Sequence, residues 1–425
     1  MEEVVNSKKV WMFHHYATPP TMSGLTRPYE FSMKLTEVGY NSTIFSASHL
    51  HYTGENLIQN GDLSLAHNEA AVPFVFIKTY SSNGNGIKRV FNMISYYINL
   101  IRVTKQLIKD NDKPDIIIAS SPHPLTMLAG LKVAKKAGIP CICEVRDFWP
   151  EVFFQGGRLK KESFIGKILL RGERWIYKKS DALIFLKEGD VSYITENGWA
   201  TSQGGDIDVN KCYYINNGVD HKSFSENIIK NDYDDEDLNS NKFNVIYAGA
   251  IRPVNNVGNI IDAAKLLTNY DDIQFLIYGD GNELEFLRNR VLNEDINNVK
   301  LKGYVDKKYV SSILSKSSVN VLNYSQSKYN WSRGNSSNKL FEYMASGKPI
   351  ISTVKMGYSP IDKYDCGLTL ETDTPQALAD GIVEIYSMPR ERYIEMSNNA
   401  QKGSRDFDYE ELTKKLISVM ERELI

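Results

Sequence analysis

The segment RGNSSNKLFEYMASGKP, residues 333–349, carries residues whose types and spacing could do chemistry. Apolar side chains recur at helical spacing from Leu340 onward, and the Gly-Lys-Pro run ends the helix, so Ser336 or Ser337 is the predicted N-cap. Free backbone amides at a helix start, together with the positive end of the helix dipole, bind anions. Lys339 adds a full positive charge to this first turn, where the dipole alone would disfavour a cation. The segment therefore predicts a phosphate site.

One acid follows within the same predicted helix. Glu342 lies about six residues beyond the cap, hence about 9 Å along the helix axis, which is comparable with the distance from a diphosphate to the hydroxyls of its ribose. A carboxylate can accept hydrogen bonds from two adjacent hydroxyls, so Glu342 is a candidate ribose ligand. The alternative is an ion pair between Lys339 and Glu342 at i, i+3, which has little energetic value. The residues alone leave both interpretations open.

A scaffold for these residues is predicted by short β-branched runs that alternate with amphipathic stretches of helical length. The first series of predicted strands covers residues 8–13, 42–47, 73–79, 115–121, 141–147, 182–186 and 212–218. The second series covers residues 243–250, 273–281, 299–305, 318–325, 348–353 and 366–371. The predicted fold class is α/β, with two Rossmann-like doubly wound domains that face an interdomain cleft, where ligands of such sheets usually bind.

The chain length of 425 residues also favours two domains. We expect an N-terminal domain over residues 1–222, a C-terminal domain over 223–403, and a terminal helix over 404–425 that packs back on the N-terminal domain. Residues 225–243 form the predicted linker, because an acid run there is expected to stay solvated. That run comprises Asp232, Asp234, Asp235, Glu236 and Asp237.

Composition excludes several classes of protein. The net charge of -2 argues against a general nucleic-acid binder. Four cysteines without a CxxC spacing fit a reduced cytoplasmic protein. No signal peptide is predicted, and no apolar run is long enough to span a membrane. The sequence therefore predicts a cytoplasmic protein and leaves open peripheral attachment to the inner face of the cell membrane.

Several motifs occur in an order and spacing that are more specific than any one of them. They are HHYATPPTMSGLTRPYEFSMKLTEVGY (14–40), PDIIIASSPHPLTMLAG (114–130), CEVRDFWPEVF (143–153), NNGVD (216–220), YAGAIRP (247–253), YGDGNELEFL (278–287), GYVDKKYV (303–310) and NKLFEYMASGKPII. Together they resemble the retaining GT-B glycosyltransferases of glycosyltransferase family 4, and within it the WbuB-type O-antigen and capsule transferases. The resemblance runs through the whole chain. It implies transfer of a sugar from a nucleotide diphosphate donor, UDP-linked in our prediction, to a lipid-linked or growing surface polysaccharide acceptor, without a metal or other cofactor.

The resemblance also implies that residues 1–222 form the acceptor-side domain and that residues 223–403 form the nucleotide-sugar-binding domain, with the following roles on the donor side. Glu342 matches the family's ribose-binding glutamate, and Gly249 and Arg252 lie in the phosphate loop, where Arg252 shares the diphosphate with Lys339. The alternative for Arg252 is a solvated loop charge. Gly279 either passes the nucleotide or serves only as a structural turn. Tyr304 and Val305 are candidates for the base pocket, although an aromatic side chain at this place is more often part of a core.

Two positions depart from the family pattern. Many members carry a second glutamate eight residues before the first, but here that position is Gly334, and Asn255 stands where a lysine is common. The donor sugar is therefore expected to meet backbone amides, such as those of Ser336 and Ser337, in place of a carboxylate. The identity of the sugar stays open.

In the first predicted domain, His123, Arg146 and Asp147 follow strand ends and are expected to face the cleft. The interpretation is that His123 binds the transferred sugar and that Asp147 lies near the sugar or the acceptor hydroxyl. The alternative is that Arg146 and Asp147 only orient their loop, with Trp149 as a hydrophobic plug. Gly24 belongs to a loop that resembles the family's acceptor-side loop.

Two histidines, His14 and His15, precede that loop. One of them is expected to be buried, because adjacent residues on a strand face opposite ways. Metal ligation is not predicted, since no cysteine or acid lies at ligand spacing from these histidines and no DxD occurs in a matching loop.

Two basic segments could contact a membrane. Residues 87–109 carry five basic residues and no acid, and residues 158–179 carry eight basic and two acidic residues, in both cases interleaved with aromatic and aliphatic side chains. Such segments can lie on an anionic leaflet. The alternative is two crossover helices with a buried stripe and a solvated basic face.

Other functions share this predicted architecture. A nucleotide-sugar epimerase would eliminate the nucleotide without an acceptor, and a non-catalytic two-lobed protein would bind a small molecule between similar sheets. A dinucleotide oxidoreductase is disfavoured, because no predicted strand leads directly into a full GxGxxG helix start.

Overall fold

The computed structural model of the chain describes residues 7–22, 24–82, 84, 86–157, 159–327 and 329–424. It divides into two compact units. The first comprises Met1–Leu186, Asp190–Ile215 and Thr413–Ile425, and the second comprises Lys187–Gly189 and Asn216–Leu412.

The first unit is built on an eight-stranded sheet in the order β3-β4-β2-β1-β5-β6-β7-β8. Its strands are β1 (Lys9–His14), β2 (Asn41–Ala47), β3 (Ser64–His67), β4 (Phe74–Ile77), β5 (Ile116–Ser121), β6 (Cys141–Val145), β7 (Ala182–Phe185) and β8 (Cys212–Tyr214). Its helices are α1 (Arg27–Glu37), α2 (Ile87–Lys109), α3 (Pro124–Ala137), α4 (Trp149–Gln155), α5 (Phe164–Lys179) and α6 (Ser192–Glu196). Each predicted strand of the first series is present, and the short edge strand β3 is an addition.

All neighbouring strands of this sheet pair in parallel except β3 with β4. The central strand β1 pairs with β2 and with β5, so that Val10 lies opposite both Ser42 and Ile116. Both faces of β1 and β5 are covered, as expected of a parallel sheet between helix layers. Trp11 and Phe13 of β1 pack with Phe45 of β2 in the core.

The second unit has a six-stranded sheet in the order β11-β10-β9-β12-β13-β14, in which neighbouring strands of the described residues pair in parallel. Its strands are β9 (Phe243–Ala248), β10 (Ile273–Tyr278), β11 (Val299–Gly303), β12 (Val319–Leu322), β13 (Ile350–Ser352) and β14 (Gly367–Thr369). Its helices are α7 (His221–Lys230), α8 (Val257–Leu266), α9 (Leu284–Asn293), α10 (Lys307–Ser315), α11 (Asn338–Ala345), α12 (Pro360–Tyr364), α13 (Pro375–Tyr386) and α14 (Arg390–Ser404). The last helix, α15 (Tyr409–Glu423), begins in the second unit and ends in the first.

The predicted linker is wrong. Residues 225–243 lie inside the second unit, and part of them belongs to α7. The acid run is not uniformly solvated either, because Asp235 has a side chain only 13% exposed and lies 2.7 Å from the ammonium of Lys302, which also contacts Asp237. A lysine on β11 thus fixes a segment whose composition alone indicated a flexible connection.

Two further features bear on the sequence predictions. Within the described ranges, no helix combines the length and hydropathy needed to cross a membrane. The four cysteines are free thiols, and Cys141 and Cys143 are buried in β6.

Candidate active site

The loops that follow β9, β10 and β11 are bonded to one another beyond the ends of their strands. Gly249 donates its amide to Tyr278 O (3.0 Å), Ile251 donates to Asp280 O (2.8 Å), and Gly279 donates to Gly303 O (2.7 Å). Gly279 has a φ of +141°, and a Cβ at this position would lie 1.8 Å from the carbonyl oxygen of Gly249. Glycine is therefore required at 279 by a close backbone approach at the carboxyl edge of the sheet, whatever ligand lies there.

Lys339, in the first turn of α11, has an unusual set of neighbours. Its ammonium donates to the amide oxygen of Asn255 (3.0 Å) and to the hydroxyl of Tyr247 (3.2 Å). It also lies 4.7 Å from the ring centroid of Tyr247 and 4.4 Å from that of Tyr324. Among the residues that the structure describes, no carboxylate forms an ion pair with it. Burial among these neutral groups lowers the pKa of Lys339 to about 7.

The aromatic neighbours of Lys339 are themselves held in place. The hydroxyl of Tyr247 donates to the carbonyl of Ala250, and burial raises the pKa of Tyr247 well above its usual value. Burial likewise raises the pKa of Tyr324 to about 12. Neither phenol can supply a negative charge near neutral pH, so Lys339 provides positive charge that an anionic ligand could neutralise.

The start of α11 is braced by two asparagines. Asn216 donates its side-chain amide to Asn335 O (3.3 Å), and Asn217 donates to Ser336 O (2.6 Å). Ser337 occupies the N-cap position, as one of the two predicted residues, but its side chain makes no capping hydrogen bond. These contacts fix the peptide groups that precede the helix.

Glu342 lies on α11, and its side chain is 20% exposed. The ion pair between Lys339 and Glu342 considered from the sequence is not formed. Lys339 bonds to Asn255, and the carboxylate of Glu342 lies 3.9 Å from the ammonium of Lys307, which is 67% exposed. A pair at that distance with an exposed lysine contributes little free energy, so the carboxylate keeps its hydrogen-bonding capacity.

The remaining donor-side candidates lie in the loops of the same unit. Arg252 is exposed, directly after the β9 loop, and Val305 is partly buried against the core. Tyr304 is 68% exposed, so the alternative that it belongs to the core is wrong. Gly334 has a φ of +105°, and a Cβ there would lie 3.3 Å from Gly357 O. A glutamate at 334 would be strained in this left-handed backbone.

In the first unit, both His14 and His15 are fully buried, whereas the sequence predicts burial of one of them. The reason is that His15 lies just past the end of β1, where its Nδ1 bonds to Nε2 of His123 (2.8 Å) and its Nε2 bonds to Asn92 Oδ1 (2.7 Å). His123, predicted to be displayed at a strand end, is itself fully buried at the N-cap of α3. Burial lowers the pKa of His14 and of His123 to about 3.

Arg146 and Asp147 have different surroundings. Arg146 is largely buried, with its guanidinium 3.6 Å from Glu144, whereas Asp147 is exposed. Glu144 also accepts from Arg27 (2.9 Å). Burial opposes ionisation of Glu144, but the charges of Arg27 and Arg146 outweigh it and lower the pKa to about 2. Arg146 therefore belongs to a buried ionic cluster, whereas Asp147 is accessible to solvent.

The hydrophobic plug of this loop is Phe148 and not Trp149. Phe148 is 7% exposed and stacks on Tyr193 at a centroid distance of 3.9 Å, whereas Trp149 is only partly buried. Gly24 lies in the loop between β1 and α1, where a Cβ would be 2.3 Å from the hydroxyl oxygen of Thr18. Arg158, at the start of the second basic segment, lies outside the described residues.

Sequence reasoning missed the residues that support those with predicted roles. They are Asn92, Asn216, Asn217, Tyr247 and Tyr324. Two motifs of the resemblance gave a signal, since Asn216 and Asn217 stand in NNGVD and Tyr247 stands in YAGAIRP. A group of three or more His, Cys, Asp or Glu residues suited to a metal ion is not found in the described part of the chain.

Two family models match the sequence. The model described as "Glycosyl transferase 4-like domain" matches residues 67–203, and the model described as "Glycosyl transferases group 1" matches residues 229–403. The protein is a glycosyltransferase. No curated protein sequence matches it at a significant level.

Solved structures show the same fold. HepE from Anabaena, in complex with UDP, is 14% identical to this glycosyltransferase with a TM-score of 0.67, and the match covers 98% of this chain and 100% of HepE. Sucrose-phosphate synthase from Thermosynechococcus elongatus is 14% identical with a TM-score of 0.68 and 98% of each chain covered. WaaG, a glycosyltransferase involved in lipopolysaccharide biosynthesis, is 14% identical with a TM-score of 0.63, covering 97% of this chain and 99% of WaaG. The predicted GT-B fold with two Rossmann-like domains is confirmed.

Proposed function

We propose that this glycosyltransferase moves a sugar from a UDP-linked donor to a lipid-linked or growing surface polysaccharide acceptor, with retention of the anomeric configuration, as WbuB-type members of family 4 do. The observation that carries the proposal is the surroundings of Lys339. Its ammonium is placed among Asn255, Tyr247 and Tyr324, without a carboxylate partner in the described residues, at the start of a helix. A diphosphate supplies the negative charge that these neighbours lack.

The donor is assigned to the second unit. Lys339, Arg252 and the amides of Ser336 and Ser337 bind the diphosphate and the sugar, and Glu342 binds the ribose hydroxyls. In the structure the amide of Ser337 donates to Asn335 Oδ1 (2.8 Å), so it exchanges this bond for one to the ligand. Gly249 and Gly279 allow the nucleotide to approach the backbone, and Tyr304 and Val305 contact the base. In support, the structural relative HepE has been crystallised with UDP and with UDP-glucose.

The reaction breaks the bond between the anomeric carbon and the diphosphate oxygen, and the bonding electrons leave with the diphosphate. Lys339 and Arg252 stabilise the negative charge that develops on the leaving group, which is electrostatic catalysis by groups already in place. The acceptor oxygen then attacks the oxocarbenium-like carbon from the same face, and its proton passes to the departing phosphate. No covalent nucleophile takes part.

The acceptor is assigned to the first unit. We assign His123 to the transferred sugar and Asp147 to the region of the sugar or the acceptor hydroxyl. Gly24 and Arg146 belong to the acceptor side. The exposure of Asp147 and the brace between Arg146 and Glu144 are compatible with an accessible acid on a fixed loop.

A lipid-linked acceptor requires access to a membrane, and α2 supports such contact. Its exposed apolar residues lie in the N-terminal half, and its exposed basic residues, apart from one at the N-terminal end, lie in the C-terminal half. The apolar residues are Ile87, Val90, Phe91, Ile94 and Ile98, and the exposed basic ones are Lys88, Arg102, Lys105 and Lys109. A crossover helix with only a buried stripe does not account for the exposed apolar half. The face fits an anionic leaflet.

A second helix of the same unit has similar character. On α5, Phe164 (78% exposed), Ile165, Ile168 and Trp175 accompany exposed lysines and an arginine. Helix α3 packs against both α2 and α5, so the two basic and apolar helices belong to one layer of the first unit. We therefore propose peripheral attachment to the inner face of the cell membrane through residues 87–109 and 159–179.

The test is a screen of nucleotide sugars with the purified full chain, with and without a lipid-linked acceptor. Slow release of free sugar from one UDP-sugar, and acceptor-dependent transfer with retention, are the expected results. Lys339→Met should abolish both, and transfer should persist with EDTA because cationic side chains and amides neutralise the diphosphate. Interconversion of two nucleotide sugars, as by an epimerase, or binding without turnover would contradict the proposed transfer from a UDP-linked donor.

A further inference from the structure

Three buried side chains of the first unit form a continuous hydrogen-bonded chain. Asn92 on α2 contacts His15 through its Oδ1 and the ring Nε2 (2.7 Å), and His15 Nδ1 contacts Nε2 of His123 (2.8 Å). Their exposed fractions are 2%, 0% and 0%. Because water is excluded, each of these contacts needs one donor and one acceptor, so the position of every proton matters.

Asn92 fixes which atom donates and which accepts in each of these hydrogen bonds. Asn92 donates its side-chain amide nitrogen to the carbonyl oxygen of Tyr80 (2.6 Å), so its Oδ1 faces His15 and can only accept. His15 therefore carries its proton on Nε2. In the neutral ring Nδ1 is then an acceptor, and His123 must donate from Nε2.

Neutral rings are what this environment favours. Burial, with a further contribution from His123, lowers the pKa of His15 well below its usual value. Burial, Arg89 and His14 lower the pKa of His123 to about 3. With Nε2 protonated and the ring neutral, Nδ1 of His123 carries only a lone pair.

That Nδ1 atom has no hydrogen-bond partner in the described residues, although it is fully buried. An acceptor left unsatisfied in a protein interior is costly, and such atoms in native structures need an explanation. The residue lies at the N-cap of α3 directly after β5, at the carboxyl edge of the sheet, where ligands of such folds bind.

We infer that Asn92 and His15 are positioning residues that hold His123 in its Nε2-protonated tautomer, so that Nδ1 accepts a hydrogen bond from a hydroxyl of the transferred sugar. This inference rests on the proposed function for the identity of the ligand. This tautomer has a chemical consequence, because an unprotonated Nδ1 accepts a hydrogen bond from an O–H group and cannot donate one to an ether or a carbonyl oxygen. The site thus selects a donor sugar that presents a hydroxyl at that position.

The tautomer is measured directly by long-range 1H–15N correlation of the imidazole rings in the full chain labelled at histidine. Signals are assigned by their loss in His15→Gln and His123→Gln. The expected spectrum shows both rings neutral and protonated at Nε2 near neutral pH, and Asn92→Leu should convert His123 to a mixture of tautomers. A proton on Nδ1 of His123 in the unsubstituted protein overturns the inference.

A matched control lies on the same helix. Asn99 also donates its side-chain amide to a main-chain carbonyl, that of Lys78 (2.8 Å), but contacts neither histidine in the structure. Asn92→Leu should lower kcat/KM for transfer about tenfold, the usual effect of losing one aligned hydrogen bond, whereas Asn99→Leu should not. Equal losses in the two variants, with unchanged histidine spectra, would show that Asn92 acts only through packing. Because the spectra need no substrate, the tautomer is decided even where no nucleotide sugar is turned over.

Discussion

The ammonium of Lys339 donates to the amide oxygen of Asn255 over 3.0 Å, which joins the first turn of α11 to the loop after β9. Asn255 stands where a lysine is common in the family that the sequence resembles. Here the positive charge comes from the helix, and the loop supplies a neutral acceptor that holds it. The charge is consequently more buried than one on an open loop.

The first prediction concerns the pH dependence of nucleotide binding. The pKa of Lys339 in the free protein is about 7, and a bound diphosphate favours the charged ammonium, so binding takes up a proton above that pH. The affinity for UDP should fall by up to about tenfold per pH unit above about pH 7. Titration calorimetry in buffers of different ionisation enthalpy measures both the dissociation constant and the proton uptake.

Lys339→Met is the control for this pH dependence. It removes the titrating group and should bind UDP weakly, with no proton uptake above neutral pH. If its affinity falls with pH in parallel with that of the unsubstituted protein, the titration belongs to another group and the assignment of Lys339 to the diphosphate is wrong.

The second prediction concerns Glu342 and the ribose. One hydrogen bond from a hydroxyl to a carboxylate contributes about 1.5–3 kcal/mol, so Glu342→Ala should weaken UDP binding by at least roughly 10- to 100-fold, with the thermal stability little changed. The same substitution should hardly affect binding of 2′,3′-dideoxy-UDP, which lacks the hydroxyls. Lys307→Ala removes only the exposed partner of Glu342 and should leave UDP affinity nearly unchanged. Equal effects of Glu342→Ala on both nucleotides contradict ribose binding.

The sequence predicted the scaffold well because its signals are local. Buried parallel strands such as β5 and β10 are largely apolar runs, and the Pro-His-Pro that follows β5 and the Gly-Asp-Gly that follows β10 mark the loops. The missed strand β3, SLAH, is short, exposed and antiparallel at the sheet edge, and such a strand has no strong apolar pattern.

The surroundings of the predicted residues could not be read from the sequence. His15 and His123 are joined by the pairing of β1 with β5, which only the sheet register sets. Lys339 meets Asn255 because α11 and the β9 loop meet in three dimensions, whereas the sequence offered only Glu342 at helical spacing. The acid run does not form the predicted solvated linker for the same reason: the lysine that binds Asp235 is distant in sequence, on β11.

The third prediction tests the close approach of two loops. Gly279→Ala places a Cβ against the Gly249 carbonyl and forces a residue with a side chain into a left-handed backbone, so it should destabilise the protein by more than about 2 kcal/mol and weaken UDP binding. Gly258→Ala is the control, because it is helical and its Cβ would make only ordinary contacts at 3.7 Å. That variant should lie within about 1 kcal/mol of the unsubstituted protein. Denaturant unfolding and UDP titration of both variants check this.

The fourth prediction concerns the exposed face of α2. Replacing Lys88, Arg102, Lys105 and Lys109 by Glu should abolish binding to vesicles that contain anionic lipid, because each basic residue near the surface contributes about 1 kcal/mol. Arg89 is left unchanged because it contacts Tyr16. The control reverses the same number of exposed lysines in the second unit, namely Lys300, Lys307, Lys308 and Lys402. Vesicle sedimentation at low and high salt measures both, and unchanged binding by the α2 variant removes the membrane proposal.

The last prediction concerns a buried acid beside the α5 face. Glu173 accepts hydrogen bonds from the hydroxyls of Tyr177 (2.9 Å) and Tyr193 (2.8 Å), and burial raises its pKa to about 7 from 4.5. Between these two pH values the folded protein keeps a proton that the unfolded chain releases, so this residue makes stability fall as pH rises, by at most about 1.4 kcal/mol per pH unit.

Glu173→Gln should remove that fall. The free energy of unfolding of the variant minus that of the unsubstituted protein should therefore increase as pH is raised from about 4.5 to about 7. The buried histidines act in the opposite direction, because the unfolded chain binds protons that they do not. Their contribution is common to both proteins and cancels in the difference. Denaturant unfolding at several pH values gives this difference, with exposed Glu162→Gln as the control. A difference that does not change with pH would show that Glu173 is ionised in the folded protein throughout this range.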